Sequence, residues 1–547
     1  MMCSRLLRRE SEPGGLGKLI GRFLGWMERL YGASLRWSLG NRAAVVLIAL
    51  FVLAGNVVVF RGLPSELAPI EDRGVIFGIL VGPEGATIDF TDAYMRQLEG
   101  IYEEVPEMRQ FFVATGYQIA SEGFSVLLTK SWEERERSTL EIAGSIFPQM
   151  SGIAGTLAFP VAPPSLGASP IERPVNFVIM DSRSYEELDQ SLQVFLAEVA
   201  KNPGLVSVDT DLRINTPQLM VRMNRDRIAS LGLDVATVGR TIETMLGGRE
   251  VTRFKQNGEQ YDVIVQAEEE GRVSPEYLMR FFVQPPGGGE PVPLSALIEA
   301  EELVTPRDLN HFNRSRAVTI TANLAPGYSL GAALAFLEET AEKTLPPTAA
   351  VGYDGQSLEF KESGASLYLT FLLALAFIYL ALAAQFESFL DPAIIMFTVP
   401  LSMIGALLAL QFTGNSLNVY SQIGLVTLVG LITKNGILIT EFANQLQEAG
   451  RAKAEAILEA SIQRLRPILM TASSMVLGTL PLALATGAGA ESRHQIGWVI
   501  VGGLLLGTFF SLYVVPVAYA FIARDRVARP SLDYEEIEGS KTPSAAE

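Results

Sequence analysis

Apolar and polar residues are distributed very unevenly along this chain. Six apolar runs, at 43–60, 365–386, 392–412, 417–440, 467–485 and 496–522, reach the length that a helix needs to cross hydrocarbon, roughly 17–25 residues. Between the first and second runs lies a mostly polar stretch of roughly 300 residues, far too long for an ordinary loop. The pattern predicts one membrane span, a large folded region, then five further spans.

Within the polar stretch the period of the pattern changes repeatedly. Residues 76–81 form a β-type run that ends at Pro83-Glu-Gly-Ala-Thr87 and is followed by a helical pattern through about Glu104. The same plan occurs at 175–180, with the turn Asp181-Ser-Arg-Ser184 and a helix to about Lys201. It occurs again at 318–324, with Pro326-Gly-Tyr-Ser329 and a helix to about Lys343. Each helix leads into another strand, at 110–115, 205–211 and 349–353. A Ser or Thr opens each helix, offering an acceptor to its free backbone N–H groups. Repeated strand–helix–strand units predict an α+β region of ferredoxin-like subdomains. Between Asn224 and Ala300 the plan changes to two short helices (225–231 and 235–246), Gly247-Gly248 and a strand at 260–266. The proline- and glycine-rich segment 285–293 reads as an exposed hairpin or linker, and the whole stretch as an inserted small domain. The expected divisions are 1–42, 43–61, 62–172, 173–223, 224–304, 305–363, 364–523 and 524–547.

Charge orients this plan. Arg5, Arg8, Arg9, Lys18, Arg22, Arg29, Arg36 and Arg42 precede the first run, whereas Glu66, Glu71 and Asp72 follow it. Basic residues mark the cytoplasmic side, so the large region is expected outside. Six crossings then return Arg451, Lys453, Arg464 and Arg466 to the inside, together with Arg524, Arg526 and Arg529. The first run starts late and lacks a small-x-small exit, which favours an uncleaved span over a signal peptide. Before it, in the segment Lys18–Leu39, Phe23, Leu24, Trp26, Met27, Leu30, Tyr31 and Leu35 stand among basic residues, as in an amphipathic helix at a membrane surface. The net charge of −17 disfavours nucleic acid as a partner. Cys3 alone forms no internal disulfide, and His311 and His494 are too far apart for a histidine-rich metal site.

One residue breaks the apolar pattern. Lys434 stands in Leu425-Val-Thr-Leu-Val-Gly-Leu-Ile-Thr-Lys434-Asn-Gly-Ile-Leu-Ile-Thr440, and the apolar part of this run holds no carboxylate. An unpaired ammonium in hydrocarbon costs roughly 2.5–3.5 kcal/mol on insertion scales, so such residues mark ion pathways, proton relays or counter-ions. The alternative is that its long side chain reaches the inner surface. Counting from Glu441 and from Arg466 at roughly 1.5 Å per residue puts Lys434 about 10 Å deep and Thr471 about 8 Å deep, at nearly one level. Gly503-x-x-x-Gly507 in the last run permits close helix contact, with generic packing as the plainer reading.

Several motifs carry a resemblance. Gly430-Leu-Ile-Thr-Lys434-Asn435-Gly-Ile-Leu-Ile-Thr-Glu441-Phe-Ala, Arg464-Leu-Arg-Pro-Ile-Leu-Met-Thr471 and Leu63-Pro-Ser-Glu-Leu-Ala-Pro-Ile-Glu-Asp-Arg-Gly74 are similar to segments of the resistance–nodulation–division (RND) efflux pumps. Gly487-Ala-Gly and Val514-Val-Pro516 fit the ends of their last two spans. The chain resembles the C-terminal half of a hydrophobe/amphiphile exporter, and Met1–Arg9 resembles the cytoplasmic exit of the preceding span. The resemblance implies a split-gene half or a truncated permease, because the family's paired aspartates are not in this sequence. It further implies a proton relay of Lys434 and Thr471, with Asn435 and Arg464 assisting, driven by the proton gradient without a cofactor. By position Phe77, Ile79, Phe112, Tyr117, Ile119 and Val126 would line a drug pocket for small amphiphiles, ordinary sheet core being the alternative. The implied setting is the lipid of a bacterial inner membrane, with the large region in the periplasm. The implied assembly is a homotrimer with an N-terminal half, an adaptor protein and an outer-membrane channel docked on the insertion. A lipid transporter or protein-export accessory of related architecture is the competing function. No Gly-x-x-x-x-Gly-Lys-[Ser/Thr] motif supports direct use of ATP, and no nucleophile–base or metal constellation points to an enzyme.

Overall fold

The computed structural model describes residues 15–526, apart from 84, 164–165, 167–172, 273, 286–287, 307 and 326. The expectations for Met1–Arg9 and for most of the acidic tail fall outside the described residues.

Helix α1 (Gly15–Gly40) leads into α2 (Arg42–Gly62). The first extramembrane unit then runs β1 (Val75–Val81), α3 (Ile88–Glu103), β2 (Met108–Thr115), β3 (Glu122–Thr129), α4 (Thr139–Ser151) and β4 (Leu157–Val161). Its antiparallel sheet has the order β2-β3-β1-β4. The second unit opens with β5 (Val175–Asp181), α5 (Tyr185–Val199) and β6 (Leu205–Thr210). An insertion follows: β7 (Ile214–Met223), α6 (Arg225–Ser230), α7 (Val235–Ile242), the hairpin β8 (Arg249–Gln256) and β9 (Glu259–Val265), the short β10 (Phe282–Val283) and β11 (Val292–Pro293), and β12 (Ile298–Pro306). The unit closes with β13 (His311–Phe312), β14 (Ser315–Leu324), α8 (Leu330–Thr344) and β15 (Ala350–Tyr353). In its sheet β14 lies between β5 and β6, and β15 pairs with the other edge of β5, so both units share one β-α-β-β-α-β plan.

The helices begin where the sequence supplies caps. Thr87, Ser138, Ser184 and Ser329 each accept a backbone N–H of the first turn, and Glu141 and Glu187 complete capping boxes. The insertion hangs on a two-stranded ribbon in which β7 pairs with β12, so β7 lies before the boundary expected at 224 and β12 crosses the one expected at 304. Its small core is Ile228, Leu233, Val238, Leu278, Val283, Leu294, Leu297 and Ile298.

Among the described residues, six helical segments are long and apolar enough to cross a membrane: α2, α9 (Gly355–Phe386), the pair α10 (Leu390–Met396) and α11 (Thr398–Phe412), α12 (Val419–Glu448), α13 (Lys453–Ala483) and α14 (Ala490–Ile522). They are called spans one to six below. Spans three, four and six bury 61, 56 and 61% of their apolar windows, against 11, 11 and 17% for spans one, two and five, so the first three form the centre of the bundle. Small residues allow this. A Cβ on Gly405 of span three would strike the Gly502 carbonyl oxygen of span six, and one on Gly507 would lie 2.6 Å from Ser402 Cβ. Gly503 is close to Leu428 of span four, so the Gly503-x-x-x-Gly507 pair packs on two helices at once. Because lipid is as apolar as the side chains, such close fitting replaces the hydrophobic drive between helices.

Loop contacts agree with alternating crossings. Linker residues Pro64 and Glu66 hydrogen-bond the backbone of Leu417 at one end of the bundle. At the other end, Arg526 after span six bonds Asp391 at 2.9 Å, and Arg466 donates to Glu28 of α1 at 3.0 Å.

Span five differs from its apolar run. Helix α13 starts at Lys453 rather than near 467, so Thr471 sits near its middle instead of about five residues from its start. Residues 453–466 are too polar to register as a span, yet their small face of Ala456, Ile457, Ala460 and Ser461 is buried, and Ile457 and Ala460 pack in one cluster with Tyr31 and Leu35 of α1.

Unit one is fixed to the linker that follows span one through Asp72, which is 6% exposed. Its carboxylate accepts from Arg135 Nη2 at 2.5 Å, Thr139 Oγ1 at 2.8 Å, and the backbone N–H groups of Thr139 and Gly74, each at 3.2 Å. Burial alone would raise its pKa, but Arg135, Thr139 and Gly74 together hold it below the usual carboxylate value. A depressed folded-state pKa gives stability that is present at neutral pH and lost as pH falls through that pKa. Removing one partner of a buried pair costs about 3–5 kcal/mol. Asp72→Ala is therefore expected to increase proteolysis of residues 75–161 at neutral pH, by an effect that shrinks as the medium is acidified toward pH 3. An unchanged digestion rate at pH 7 would contradict this role.

Candidate functional site

Two places combine unusual chemistry with access. The first is on span four. Its 30-residue helix starts where Asn418 accepts the N–H groups of Tyr420 and Ser421, and continues without proline to Glu448. Lys434 is exposed on this helix, while Thr433, Asn435 and Gly436 beside it are buried. No ion pair or hydrogen bond joins Lys434 to any described residue. Its ammonium thus points away from the packed centre of the bundle, from a helix whose other face is buried there. Asn435 points into the bundle, donating to Thr508 Oγ1 of span six at 3.1 Å, and its own side-chain oxygen is buried without a partner among the described residues. Thr471 is half-buried and donates back to Ile468 of its own helix at 3.1 Å. Arg464 lies over the Phe442 ring of span four at 4.4 Å, with a buried Nε that has no hydrogen-bond partner. The four expected relay residues therefore occupy two adjacent helices, and no hydrogen bond links them to one another.

The second place is the sheet of unit one. Strand β1 alternates: Ile76 and Leu80 face the helices and pack with Met95, Leu98, Tyr102, Ile142 and Ile146. Gly78 continues that face, where any Cβ would clash with the Tyr102 and Ser125 hydroxyls. Phe77 and Ile79 take the alternate positions and leave the helix-covered core. Cross-strand pairing sets Phe112, Val126, Phe77 and Val161 in one row and Ala114, Phe124, Ile79 and Phe159 in the next. The Phe77 and Phe124 rings stack at 5.5 Å, and Tyr117 folds back over Phe124 at 5.2 Å. The loop allows that fold because Gly116 and Gln118 have positive φ, 74° and 65°. Phe112 is 62% exposed and Tyr117 40% exposed. Five of the six expected residues thus share one open aromatic and aliphatic surface. Ile119, in the loop, is half-buried and lies outside the two rows.

The comparisons with known proteins bear on both places. Residues 1–523 match the model of the AcrB/AcrD/AcrF family. The chain belongs to that family. It is 33% identical over 540 residues to an uncharacterized transporter of Haemophilus influenzae, covering 97% of this chain and 52% of that protein. It is 32% identical over 543 residues to the multidrug/solvent efflux pump membrane transporter MepB of Pseudomonas putida, covering 95% and 51%. It is 31% identical over 545 residues to the multidrug export protein AcrF of Escherichia coli, covering 96% and 52%. The chain spans about half the length of these relatives. Membership of this family of RND efflux permeases, together with six helices of spanning length, makes it a multi-pass membrane protein.

In this AcrB/AcrD/AcrF-family chain, some residues that contact the expected ones were not evident from the motifs alone. Phe124 completes the aromatic surface and follows from the two-residue alternation that also selects Val126. Thr508 and Phe442 become visible only once the helices are packed. An exposed surface residue contributes little to folding, so Phe112→Ala is expected to change the stability of unit one by no more than about 0.5 kcal/mol. Ile76→Ala on the opposite face of the same sheet should cost about 2–5 kcal/mol. Chemical unfolding followed by the fluorescence of Trp132 would compare them, and equal losses would place Phe112 in the core after all.

Proposed function

We propose that this chain provides one half of a proton-driven exporter of hydrophobic or amphiphilic compounds, the half matching the C-terminal part of its relatives. The observation that carries the reading is Lys434: an exposed ammonium on an apolar, tightly held span, with no anion among the described residues to meet it. An ammonium so placed calls for a carboxylate from outside this bundle. A second six-span half carrying paired aspartates would supply one. When those aspartates are ionised they hold Lys434 by charge-assisted hydrogen bonds, and when one is protonated the attraction weakens and the helices move. Thr471 provides a hydroxyl at a similar depth, Asn435 ties span four to span six, and Arg464 faces the cytoplasmic exit. The energy source is the proton gradient, and no cofactor is needed.

On this reading the two β-α-β-β-α-β units are ferredoxin-like porter subdomains in the periplasm, and the chain sits in a bacterial inner membrane. The open face with Phe77, Ile79, Phe112, Tyr117 and Val126 takes the substrate, because burial against apolar walls is non-directional and admits compounds of varied shape. The inserted domain docks an outer-membrane channel, with an adaptor protein and a homotrimeric pump completing the assembly. The similarity to MepB and AcrF, a multidrug/solvent efflux pump and a multidrug export protein, favours efflux over the alternative of lipid or protein export.

Two outcomes test this. With a complementary half present, Lys434→Ala should reduce gradient-driven dye efflux to background while protein level and assembly persist. Lys434→Arg should also be severely impaired, because a planar guanidinium cannot replace a point charge in the same geometry. Expressed alone, residues 1–547 should insert but not transport. Gradient-dependent efflux by vesicles containing only this chain would refute the half-pump reading.

A further inference from the structure

The junction between span four and the two extramembrane units has a construction that the relay does not explain. The linker leaving span one is joined by backbone hydrogen bonds to the loop before span four: Leu417 N–H donates to Pro64 at 2.8 Å, Glu66 N–H to Leu417 at 3.2 Å, and Val419 N–H to Leu67 at 3.2 Å. The same linker accepts from unit two, where Gly331 N–H in the first turn of α8 donates to the Ser65 carbonyl at 3.0 Å. A few residues further on, Asp72 anchors it to unit one.

At the centre is Glu66. Its carboxylate accepts from the Ser416 hydroxyl and, at 3.5 Å, from Asn418 Nδ2. Asn418 Nδ2 also donates to Ser416 Oγ at 2.8 Å, so the half-buried carboxylate and the buried hydroxyl and amide form one cluster. The Asn418 side-chain oxygen meanwhile caps span four through the N–H groups of Tyr420 and Ser421. A carboxylate beside the N-terminus of a 30-residue helix is also favoured by the helix dipole. No salt bridge neutralises Glu66 among the described residues. Lys361, which lines the adjoining cleft of about 220 Å³ with Glu66, Phe360 and Val419, pairs with Glu338 instead. Burial raises the Glu66 pKa, with Ser416 and Asn418 opposing that rise.

We propose that Glu66 is a positioning residue whose carboxylate clasps the capped end of span four to the linker, so that a displacement of span four reaches both extramembrane units. Without the clasp, the loop of residues 413–418 would absorb the movement. A force carried down span four from Lys434 passes through Asn418 and Glu66 to the linker, then through Ser65 to α8 of unit two and through Asp72 to unit one. The purpose of the clasp rests on the transport reading above, but the joint itself can be measured without transport.

Amide hydrogen exchange of the 547-residue chain in lipid nanodiscs reads the joint directly. The Leu417 and Val419 amides report the local contact, and the Gly331 amide reports transmission to unit two. Glu66→Ala is expected to accelerate exchange at all three by about tenfold or more, as a charged hydrogen-bond network opens. Glu66→Gln, whose amide oxygen can still accept from Ser416, should fall between the two. Should Glu66→Ala fail to fold, Ser416→Ala makes the same comparison without altering charge. Acceleration confined to Leu417 and Val419, or no acceleration, overturns the proposal. In an assembled pump, Glu66→Ala should lower efflux about tenfold while drug affinity stays within about twofold; unaltered efflux likewise overturns it. If the unsubstituted pump shows no gradient-driven efflux, the transport reading fails, and exchange at Gly331 alone decides whether the clasp exists.

Discussion

A charge inside hydrocarbon must be compensated, and no described residue of this bundle compensates Lys434. Lys434 projects from a helix whose neighbouring residues Thr433, Asn435 and Gly436 are buried, so the helix cannot rotate the ammonium inward without breaking the centre of the bundle. Moving the side chain toward the surface is the one escape available within the chain. A carboxylate supplied from elsewhere is the other, and it converts a cost of insertion into an attraction that a single proton can switch off. The surrounding structure reads as what is needed to make that switch do mechanical work.

Rigidity is the first need. In lipid, helices are held by close fit and by polar contacts rather than by the hydrophobic effect. Spans three, four and six use both. Gly405, Gly502, Gly503 and Gly507 bring the backbones together. At the Glu448 end of span four, Asn444 and Asp391 hydrogen-bond at 3.3 Å, Tyr519 donates to Asn444 at 2.6 Å, and Arg526 bridges Asp391 and Glu448 at 2.9 and 2.8 Å. At the other end Asn418 meets Glu66. Span four is thus pinned at both ends by polar clusters, with its cation between them. Unit one has the complementary design: a rigid helix-covered face built on Ile76, Leu80 and Leu127, and an uncovered face on which Phe77 and Phe124 stack. An exposed apolar surface of this kind is a liability unless it binds something.

Much of this was legible in the sequence because the signals were local. Apolar runs of spanning length, Ser and Thr caps before helices, and the β-type run at 76–81 each predicted an element that the fold contains. The motif around Lys434 located the charge and the family. What the sequence left hidden depends on distant contacts. The start of span five at Lys453 escaped because its first turns are polar on one side and pack on α1 with the other. The ribbon of β7 and β12 escaped because strand partners separated by the whole insertion leave no periodic mark. Glu66 looked like one more acidic residue outside the membrane. Its role rests on Ser416 and Asn418, which lie some 350 residues away in the chain, at separations of 350 and 352.

The account stands or falls on where the Lys434 side chain points. A cysteine at position 434, in a chain with Cys3 replaced by serine, can be reacted with a lipid-soluble maleimide in native membranes. The account predicts ready labelling when residues 1–547 are expressed alone, and strong protection when a six-span half bearing paired aspartates is co-expressed. No labelling of the chain alone, or equal labelling with and without the second half, would contradict it.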